Sequence, residues 1–390
     1  MPRYLLIKNA ELYAPEPMGR QDILIIGEQV AQVGPALSPV PGLEGEVIDA
    51  AGRTVIPGYV DQHVHIIGGG GESGPYSRTP EVQLSAVTTA GVTTLVGVLG
   101  TDGTTRHLES LLAKARALDT EGITAYMLTG SYEVPLNTIL SDARRDIIVI
   151  DKILGIGEVA ISDHRSSQPT KDELKRILTQ ARLGGVLSGK AGVVQFHMGS
   201  GKTGLAPLLE ILEETEIPAK HFIPTHVNRD EGLFLQAMEL ARRGGYMDIT
   251  SGVRLKDGFT GGIKPSTAIR RCWEAGVPMD HVTMSSDGNG CMSLTLPDGS
   301  QKLLVARLAS LHEEVMDAVR EGVPMETAIR TAGENPARAN GLWPRKGALH
   351  PDSDGDLLIL DGQLNIDTVA ARGRIMVRGG RPVVKGTYEE

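Results

Sequence analysis

The sequence contains little cysteine, no excess of positive charge and no long apolar run. Only Cys272 and Cys291 occur among its 390 residues, which excludes a disulfide framework and favours a reducing compartment. Lysine and arginine number 39 against 48 aspartates and glutamates, and no basic stripe is present, so nucleic acid is not an expected partner. No run approaches the roughly 20 apolar residues that span a bilayer, and Lys8 interrupts the short apolar stretch near the start. With 41 % hydrophobic and 22 % charged residues, the composition predicts a folded, cytoplasmic protein with no membrane partner.

Both ends of the chain are rich in β-forming residues separated by glycine, proline and asparagine. In the first 57 residues such runs are Tyr4–Ile7, Asp22–Ile26, Gln29–Val33 and Glu46–Ile56. The segments DLLIL, TVAARGRIMVRGG and PVVKGTY show the same character near the other end. Since chain ends often lie close together in a domain, we expect residues 1–57 and 344–390 to form one small β-sandwich domain.

The middle of the chain, residues 58–343, alternates apolar strand-like runs with helix-period stretches. The strand-like runs are Gly58–His63, Val92–Gly97, Ile123–Leu128, Gly157–Ser162, Gly192–His197, His221–His226, Gly245–Thr250 and His281–Ser286. The clearest helical stretches are Arg106–Asp119, Lys171–Leu187, Glu231–Arg243 and Lys264–Ala275. Eight strand–helix units predict an α/β fold of the (β/α)8 TIM-like barrel type, with its site at the carboxyl ends of the strands. A doubly wound open sheet is the alternative, although it does not need eight units.

Four histidines and one aspartate fall at the carboxyl ends of the predicted barrel strands. His63 and His65 end the first strand, and residues i and i+2 of a strand point to the same face. His197 ends the fifth strand, His226 ends the sixth and Asp287 follows the eighth. An isolated pair of histidines is as easily a surface or core pair, but five such residues at one end of a barrel predict a site for Zn²⁺ or a similar ion.

Several strings place these residues in a pattern that resembles the amidohydrolase superfamily over almost the whole chain. PGYVDQHVHIIGGGGESGP, VGVLGTDG, LTGSYEVP, ISDHRSS, PTHVNR and SSDGNG are similar to strings of the isoaspartyl dipeptidases within it. The resemblance implies two divalent ions per chain, zinc being the expected metal. His63 and His65 would hold one ion, and His197 and His226 the other. Asp287 would bind metal and serve as general base and then general acid, or it would be a plain ligand without proton transfer.

The resemblance also implies a set of residues that recognise the substrate. Glu72 would bind an α-ammonium group, Arg165 and Arg229 would bind two carboxylates, and Tyr132 would stabilise the oxyanion. Any one arginine or glutamate could instead form a surface ion pair. The residues expected to bind the substrate are, in chain order, Gly70, Gly71, Glu72, Thr101, Tyr132, Arg165, Arg229 and Cys291.

The sequence departs from the family pattern at two positions. The family's bridging ligand on the fourth strand is a carboxylated lysine, and the aligned residue here is Glu158. A glutamate offers the same single charge and two oxygens, so we predict that Glu158 bridges the two ions; the alternative is that it faces the barrel core. The second departure is Cys291, which stands where the family has a serine near a substrate carboxylate.

The resemblance implies a metallo-dipeptidase that hydrolyses the isopeptide bond of β-aspartyl dipeptides, and the residues agree with a metal-bridged hydroxide as nucleophile. Another amidohydrolase that acts on cyclic amides or N-acyl amino acids is the alternative enzyme. A non-catalytic assembly protein built on the same barrel is the third hypothesis, although such a protein would be expected to lose metal ligands. The resemblance further implies a homo-oligomer, an octamer built from dimers.

Overall fold

The computed structural model describes residues 4–254, 261–295 and 300–390. Within these ranges the strands are β1 (Tyr4–Tyr13), β2 (Pro17–Ile26), β3 (Gln29–Gly34), β4 (Gly45–Asp49), β5 (Thr54–Pro57), β6 (Tyr59–Val64), β7 (Val92–Gly97), β8 (Thr124–Thr129), β9 (Ile153–Ile161), β10 (Val193–Met198), β11 (Phe222–Thr225), β12 (Met247–Thr250), β13 (Val282–Ser285), β14 (Cys291–Thr295), β15 (Gln301–Val305), β16 (Leu357–Leu360), β17 (Ile366–Ala371), β18 (Arg374–Arg378) and β19 (Arg381–Pro382). The α-helices are α1 (Leu84–Thr89), α2 (Leu108–Glu121), α3 (Ala143–Val149), α4 (Lys171–Ser188), α5 (Ala206–Glu214), α6 (Glu231–Arg242), α7 (Pro265–Glu274), α8 (Ser310–Arg320), α9 (Met325–Arg330) and α10 (Glu334–Ala339).

Strands from both ends of the chain form one nine-stranded sheet. Its order is β19–β18–β17–β16–β5–β1–β2–β3, with β4 paired in parallel to β1. The two ends of the chain meet where β16 pairs with β5, and there Leu358 lies opposite Ile56. The sheet has its own apolar core, which includes Leu5, Ile23 and Ile359. The prediction of a small β-sandwich built from both termini is confirmed, while the boundaries at residues 57 and 343 stay a prediction.

Two of the strand predictions in this sheet are wrong in detail. The run Glu46–Ile56 forms two strands, β4 and β5, because the chain turns between them. At the turn, Ala51 has a φ of 53° and Gly52 a φ of 80°, values outside the extended region that a continuous strand requires. Of the segment PVVKGTY, only Pro382 lies in a strand.

The middle of the chain forms an eight-stranded sheet, β6 to β13, whose order follows the chain. All neighbouring strands in it are parallel. Strands β6, β7 and β10 are buried at every position, as parallel strands covered on both faces must be. A parallel bridge between Val64 and Gly288 brings the two edges of the sheet together. The sheet is therefore a nearly closed barrel, which confirms the (β/α)8 prediction and excludes the doubly wound open sheet.

Helix α4 shows how the sequence sets the outer layer of the barrel. Thr170 caps its first turn and exchanges hydrogen bonds with Glu173 in a capping box, and Gly189 ends it in the left-handed conformation. Its buried positions include Leu174, Ile177 and Leu178, the spacing of one helix face. In the described ranges, no helix is long and apolar enough to cross a membrane.

A buried hydrogen-bonded chain joins the barrel to the nine-stranded sheet. The hydroxyl of Tyr59, in the first barrel strand, lies 2.8 Å from Nδ1 of His312 in α8. Nε2 of His312 lies 2.8 Å from the carbonyl oxygen of Leu364, between β16 and β17. Because a carbonyl only accepts, Nε2 donates to it, and in the neutral ring Nδ1 then accepts from the Tyr59 hydroxyl. Burial favours this neutral form, because it lowers the pKa of His312.

The antiparallel hairpin of β14 and β15 was not predicted from the sequence. It follows the last barrel strand directly, and Cys291 lies opposite Val305 at its base. The hairpin begins at the carboxyl end of the barrel, where it contributes to the wall of the site.

Candidate active site

The end of β6 carries two of the predicted metal ligands. The rings of His63 and His65 lie 5.4 Å apart between centroids. His63 is fully buried, and neither of its ring nitrogens has a hydrogen-bond partner among the described residues. Asp61, two residues earlier, accepts hydrogen bonds from the backbone N–H and the hydroxyl of Ser286. This contact ties the first barrel strand to the end of the last one, beside the ligands.

Strand β9 brings Glu158 into the barrel through a β-bulge. Ile156 pairs with Val194 of β10, but Val159 pairs with Phe196, so β9 has one extra residue between these pairs. The extra residue falls at Gly157–Glu158, and bulges of this kind redirect side chains next to active sites. Gly157 fits because a Cβ there would lie 2.7 Å from Cδ1 of Leu128. The bulge is thus a feature of the strand that presents Glu158.

The two carboxylate oxygens of Glu158 face different pairs of histidines. Oε1 lies 3.3 Å from Nε2 of His63 and 3.7 Å from Nε2 of His65. Oε2 lies 3.2 Å from Nδ1 of His197 and 3.7 Å from Nε2 of His226. A carboxylate in this orientation can give one oxygen to each of two ions. The alternative, that Glu158 faces the core away from the histidines, does not agree with these distances.

His226 and Asp287 both follow the last residues of barrel strands in the left-handed conformation, with φ of 63° and 53°. Such a backbone costs non-glycine residues about 1–3 kcal/mol and is held by surrounding contacts, often at functional sites. Nδ1 of His226 lies 2.7 Å from the hydroxyl of Thr250, which leaves Nε2 to face Glu158. Oδ1 of Asp287 lies 3.1 Å from Nε2 of His65.

The ligand atoms form two overlapping clusters. Within each cluster, all of the atoms lie within 4.8 Å of one another. One contains His63, Glu158 and His226, and the other contains His63, His65 and Asp287. His197 is outside both, although its ring lies 4.7 Å from that of His226 and its Nδ1 contacts Glu158. All six predicted metal ligands are therefore brought together.

The histidines that surround Glu158 and Asp287 determine whether these two carboxylates are ionised. Burial raises the pKa of Glu158, but the charge of His63 and the hydrogen bonds with His197 and His226 outweigh it and hold the pKa well below its usual value. Burial likewise opposes ionisation of Asp287, while the hydrogen bond with His65 and the nearby histidine charges lower its pKa. Both groups are therefore ionised at neutral pH.

The donor set fits divalent metal ions. The buried atoms without a hydrogen-bond partner in the described part of the chain include both ring nitrogens of His63, Nδ1 of His65 and Oε1 of Glu158. Buried polar atoms are nearly always satisfied in folded proteins, so a group of them that shares one place indicates a bound ion. Imidazole nitrogens and carboxylate oxygens are ligands that zinc accepts.

A pocket opens onto this cluster from the carboxyl ends of the strands. All of the predicted substrate-binding residues except Gly71 line it. The complete lining is His65, Gly70, Glu72, Thr101, Tyr132, Arg165, His197, Arg229, Asp287, Gly290 and Cys291.

The glycine-rich loop after β6 is held in place by Arg106. This buried guanidinium donates to the backbone carbonyls of Ile67, Gly69 and Thr79. Within the loop, Gly70 has a φ of 76°, and a Cβ there would lie 2.4 Å from the carbonyl oxygen of Ser77. The loop therefore requires glycine at that position.

Glu72 and Arg165 form an ion pair at the wall of the pocket. Oε1 of Glu72 lies 3.2 Å from Nη1 of Arg165 and accepts a hydrogen bond of 2.9 Å from the hydroxyl of Thr101. The same two side chains can instead bind an amino acid zwitterion, Glu72 its ammonium group and Arg165 its carboxylate.

Arg229 and Cys291 complete the wall. In the ranges the structure describes, the Arg229 side chain forms no hydrogen bond or ion pair, so its guanidinium is available to an anion from the pocket. Burial, together with the carboxylates of Glu72 and Asp287, raises the pKa of Cys291. Cys291 is therefore a neutral thiol that can act as a weak donor.

Tyr132 reaches the cluster from the loop after β8. Its hydroxyl lies 2.6 Å from Nδ1 of His197. Burial and the charge of Glu158 raise the pKa of Tyr132 well above its usual value, so the hydroxyl remains protonated. A protonated phenol beside the ligands can donate to an oxygen that gains negative charge.

Three residues of the site were missed from the sequence: Asp61, Arg106 and Asp163. Asp163 is almost fully buried and contacts both Arg165 and His197. The signal for Asp61 was its position two residues before His63, on the same strand face. Arg106 and Asp163 lie in loops, where no periodicity shows which way a side chain points.

The barrel and its cluster define a class of protein. In this class, histidines and carboxylates at the carboxyl ends of eight parallel strands form a candidate metal site. The profile of the amidohydrolase family matches residues 54–377. The chain belongs to the amidohydrolase family.

Known structures and sequences agree with this assignment, and they differ in sequence identity and in the share of the chain that they cover. The chain superposes with a TM-score of 0.89 on a β-aspartyl dipeptidase from Fervidobacterium islandicum AW-1 in complex with β-Asp-Leu dipeptide, at 41 % identity over 97 % of this chain and 98 % of the other. A D-hydantoinase from Thermus sp. matches with a TM-score of 0.68 at 17 % identity, over 99 % of this chain and 98 % of the other, which concerns the fold alone. A dihydroorotase from Staphylococcus aureus is 35 % identical over 114 residues, 29 % of this chain. That match spans about a quarter of the dihydroorotase, 26 % of its length.

Proposed function

We propose that this chain is a metallo-dipeptidase that hydrolyses the isopeptide bond of β-aspartyl dipeptides with two divalent metal ions, zinc being the expected metal. The observation that carries the proposal is the set of charges on one pocket wall. Glu72, Arg165 and Arg229 face the same space as the metal-ligand cluster. A β-aspartyl dipeptide has one ammonium group and two carboxylates, which is the complementary set.

The N-terminal residue of the substrate would bind between Glu72 and Arg165. Its α-ammonium group replaces the guanidinium beside Glu72, and its α-carboxylate takes a paired hydrogen bond from Arg165. The hydroxyl of Thr101 keeps Glu72 in place through its hydrogen bond. The ion pair between Glu72 and Arg165 is then replaced by two pairs with the substrate, so neither side chain is left without an opposite charge.

The carboxylate of the second residue would bind Arg229, with the Cys291 thiol as an additional donor. This contact requires a free C-terminal carboxylate and so restricts the substrate to dipeptides. It also orients the scissile amide over the ligand cluster, which contributes to the rate by positioning.

When bound, two divalent ions would supply an activated water and would polarise the scissile carbonyl. Asp287 is ionised and adjacent to the cluster, so it can accept the proton of the attacking water and then donate it to the leaving amine. The Tyr132 hydroxyl is protonated and can donate to the carbonyl oxygen as negative charge develops there. Glu158 and the four histidines would hold the ions.

A substrate series tests the proposal. β-Asp-Leu, N-acetyl-β-Asp-Leu and β-Asp-Leu amide differ in the ammonium group and the C-terminal carboxylate, so each tests one part of the wall. We expect rapid hydrolysis of β-Asp-Leu and a loss in kcat/KM of at least about tenfold for each blocked peptide, since a charge-assisted contact contributes about 1.5–3 kcal/mol. Preferential hydrolysis of hydantoins or N-acyl amino acids would instead support the alternative amidohydrolase activity.

A further inference from the structure

The region behind His197 contains a carboxylate that has no part in the chemistry described so far. Asp163 follows β9 and is 6 % exposed. Its Oδ2 lies 3.1 Å from Nε2 of His197 and accepts a hydrogen bond of 2.9 Å from Nη2 of Arg165. Its Oδ1 accepts two more from Arg165, from the backbone N–H at 2.7 Å and from Nε at 3.0 Å. One carboxylate thus contacts a metal ligand and a substrate-binding residue.

The two nitrogens of His197 have different surroundings. Nδ1 faces Glu158 and the ligand cluster at 3.2 Å, so it is the nitrogen that would bind an ion. A neutral imidazole that ligates through Nδ1 carries its proton on Nε2. Three groups lie near Nε2: Asp163 at 3.1 Å, Nη2 of Arg165 at 3.0 Å and the hydroxyl of Tyr132 at 3.3 Å. A guanidinium can only donate, and the Tyr132 hydroxyl lies closer to Nδ1, at 2.6 Å. Asp163 is therefore the nearest group, and the only carboxylate of the three, that can accept the proton of Nε2.

We propose that Asp163 is a positioning residue that fixes two groups at once, the metal-binding tautomer of His197 and the orientation of the Arg165 guanidinium. Its two oxygens are both required: Oδ1 holds Nε of Arg165, and Oδ2 receives the proton of His197. Metal binding and recognition of the substrate α-carboxylate are thereby coupled through one side chain. The substrate half of this inference rests on the proposed dipeptidase activity, whereas the metal half rests only on the proposed binding of zinc by the ligand cluster.

The variant Asp163→Asn separates this role from a merely structural one. An asparagine has one acceptor oxygen. If the oxygen faces Arg165, the amide N–H₂ faces His197 and favours the wrong tautomer; if the amide is reversed, two donors face each other at Arg165. Removal of such partners of metal ligands weakens metal affinity about 10- to 100-fold. Asp367→Asn is the matched control, because Asp367 is also paired with an arginine, Arg53, at 2.9 Å but lies in the nine-stranded sheet.

The experiment is a zinc competition titration of each metal-free protein, followed by steady-state kinetics with β-Asp-Leu. We expect Asp163→Asn to bind one of its two zinc equivalents about 10- to 100-fold more weakly and to show a raised KM, while Asp367→Asn matches the unmodified chain. Unchanged affinity for both equivalents in Asp163→Asn would overturn the inference, even if its melting temperature falls. Should Asp163→Asn not fold, Asp163→Glu keeps an acceptor one methylene further out and is expected to weaken one equivalent, with unchanged affinity again overturning the inference. If the unmodified chain does not cleave β-Asp-Leu, the proposed function fails, and the titration still decides the role of Asp163.

Discussion

Glu158 lies between the two halves of the ligand cluster, since one of its oxygens faces His63 and His65 and the other faces His197 and His226. Desolvation of a buried carboxylate is costly, so bound cations would stabilise Glu158 in addition to the histidines that surround it. The residue also differs chemically from a lysine carbamate, since it needs no carbon dioxide to form. Both properties lead to a measurable expectation.

Replacement of Glu158 by alanine is expected to lower the metal content from two equivalents per chain to one or fewer. Elemental analysis after dialysis measures this directly. Reconstitution of the unmodified chain with zinc should proceed equally with and without bicarbonate. An intact two-metal centre in Glu158→Ala, or a strong bicarbonate requirement, would contradict the bridging role.

Arg229 is the second residue with a direct test, because no described partner competes for its charge. We expect Arg229→Ala to lower kcat/KM for β-Asp-Leu by roughly ten- to hundredfold, the effect of losing about 1.5–3 kcal/mol of charge-assisted binding. Arg116→Ala is a suitable control, since Arg116 is an exposed residue on α2. Processing of the dipeptide at the unmodified rate would remove Arg229 from the substrate site.

At the scale of secondary structure, strand β9 is the element most specific to this site. It carries extra residues relative to both neighbours, since its register shifts against β8 as well as β10. The sequence predicted a strand at Gly157–Ser162, but β9 begins at Ile153 and its bulge gives no signal in hydrophobic periodicity. Register against neighbours depends on tertiary pairing, which the pattern of one strand does not contain.

Gly157→Ala tests whether the bulge positions Glu158. The added Cβ would lie 2.7 Å from Cδ1 of Leu128 and 2.9 Å from Cβ of Gln195, so the strand must shift. Overpacking of this kind costs about 1–3 kcal/mol, and we expect a lower melting temperature together with weaker zinc binding. Gly362→Ala is the control, because nothing lies within 4 Å of a Cβ there. Normal zinc affinity in Gly157→Ala would show that the bulge does not set the position of Glu158.

At the scale of the whole molecule, much of the architecture follows from the sequence. The change from β-rich ends to alternating strands and helices predicted both sheets, because each has a simple periodicity. The cluster of candidate ligands was predictable because His63, His65, His197, His226 and Asp287 all occur where apolar strands end. Asp163 and the β14–β15 hairpin could not be predicted, since both depend on loops whose course is set by tertiary contacts. The octameric assembly stays a prediction, which light scattering of the purified protein would test.

The junction between the two sheets predicts how stability depends on pH. Burial lowers the pKa of His312 to about 4, against about 6.5 in an unfolded chain. Between these values the unfolded chain binds more protons, so stability decreases as the pH falls from 6.5 to 4. The difference corresponds to about 3 kcal/mol.

Thermal unfolding of the metal-free protein and of His312→Asn between pH 4 and 7 isolates this contribution, because all other titrating groups are shared. We expect the variant to be less stable at pH 7 but to lose less stability on acidification. His107→Asn, at the exposed N-cap of α2, can differ from the unmodified chain in absolute stability, but its curve should run parallel to that of the unmodified chain. Parallel curves for His312→Asn and the unmodified chain would show that His312 is not the group responsible.

The most direct test of a binuclear β-aspartyl dipeptidase is the hydrolysis rate of β-Asp-Leu, with α-Asp-Leu alongside, as zinc is added to the metal-free chain. The proposed mechanism predicts no activity without metal, a rate that reaches its maximum at about two equivalents per chain, and little or no cleavage of α-Asp-Leu. Full activity at one equivalent or none, or equal cleavage of the two dipeptides, would contradict it.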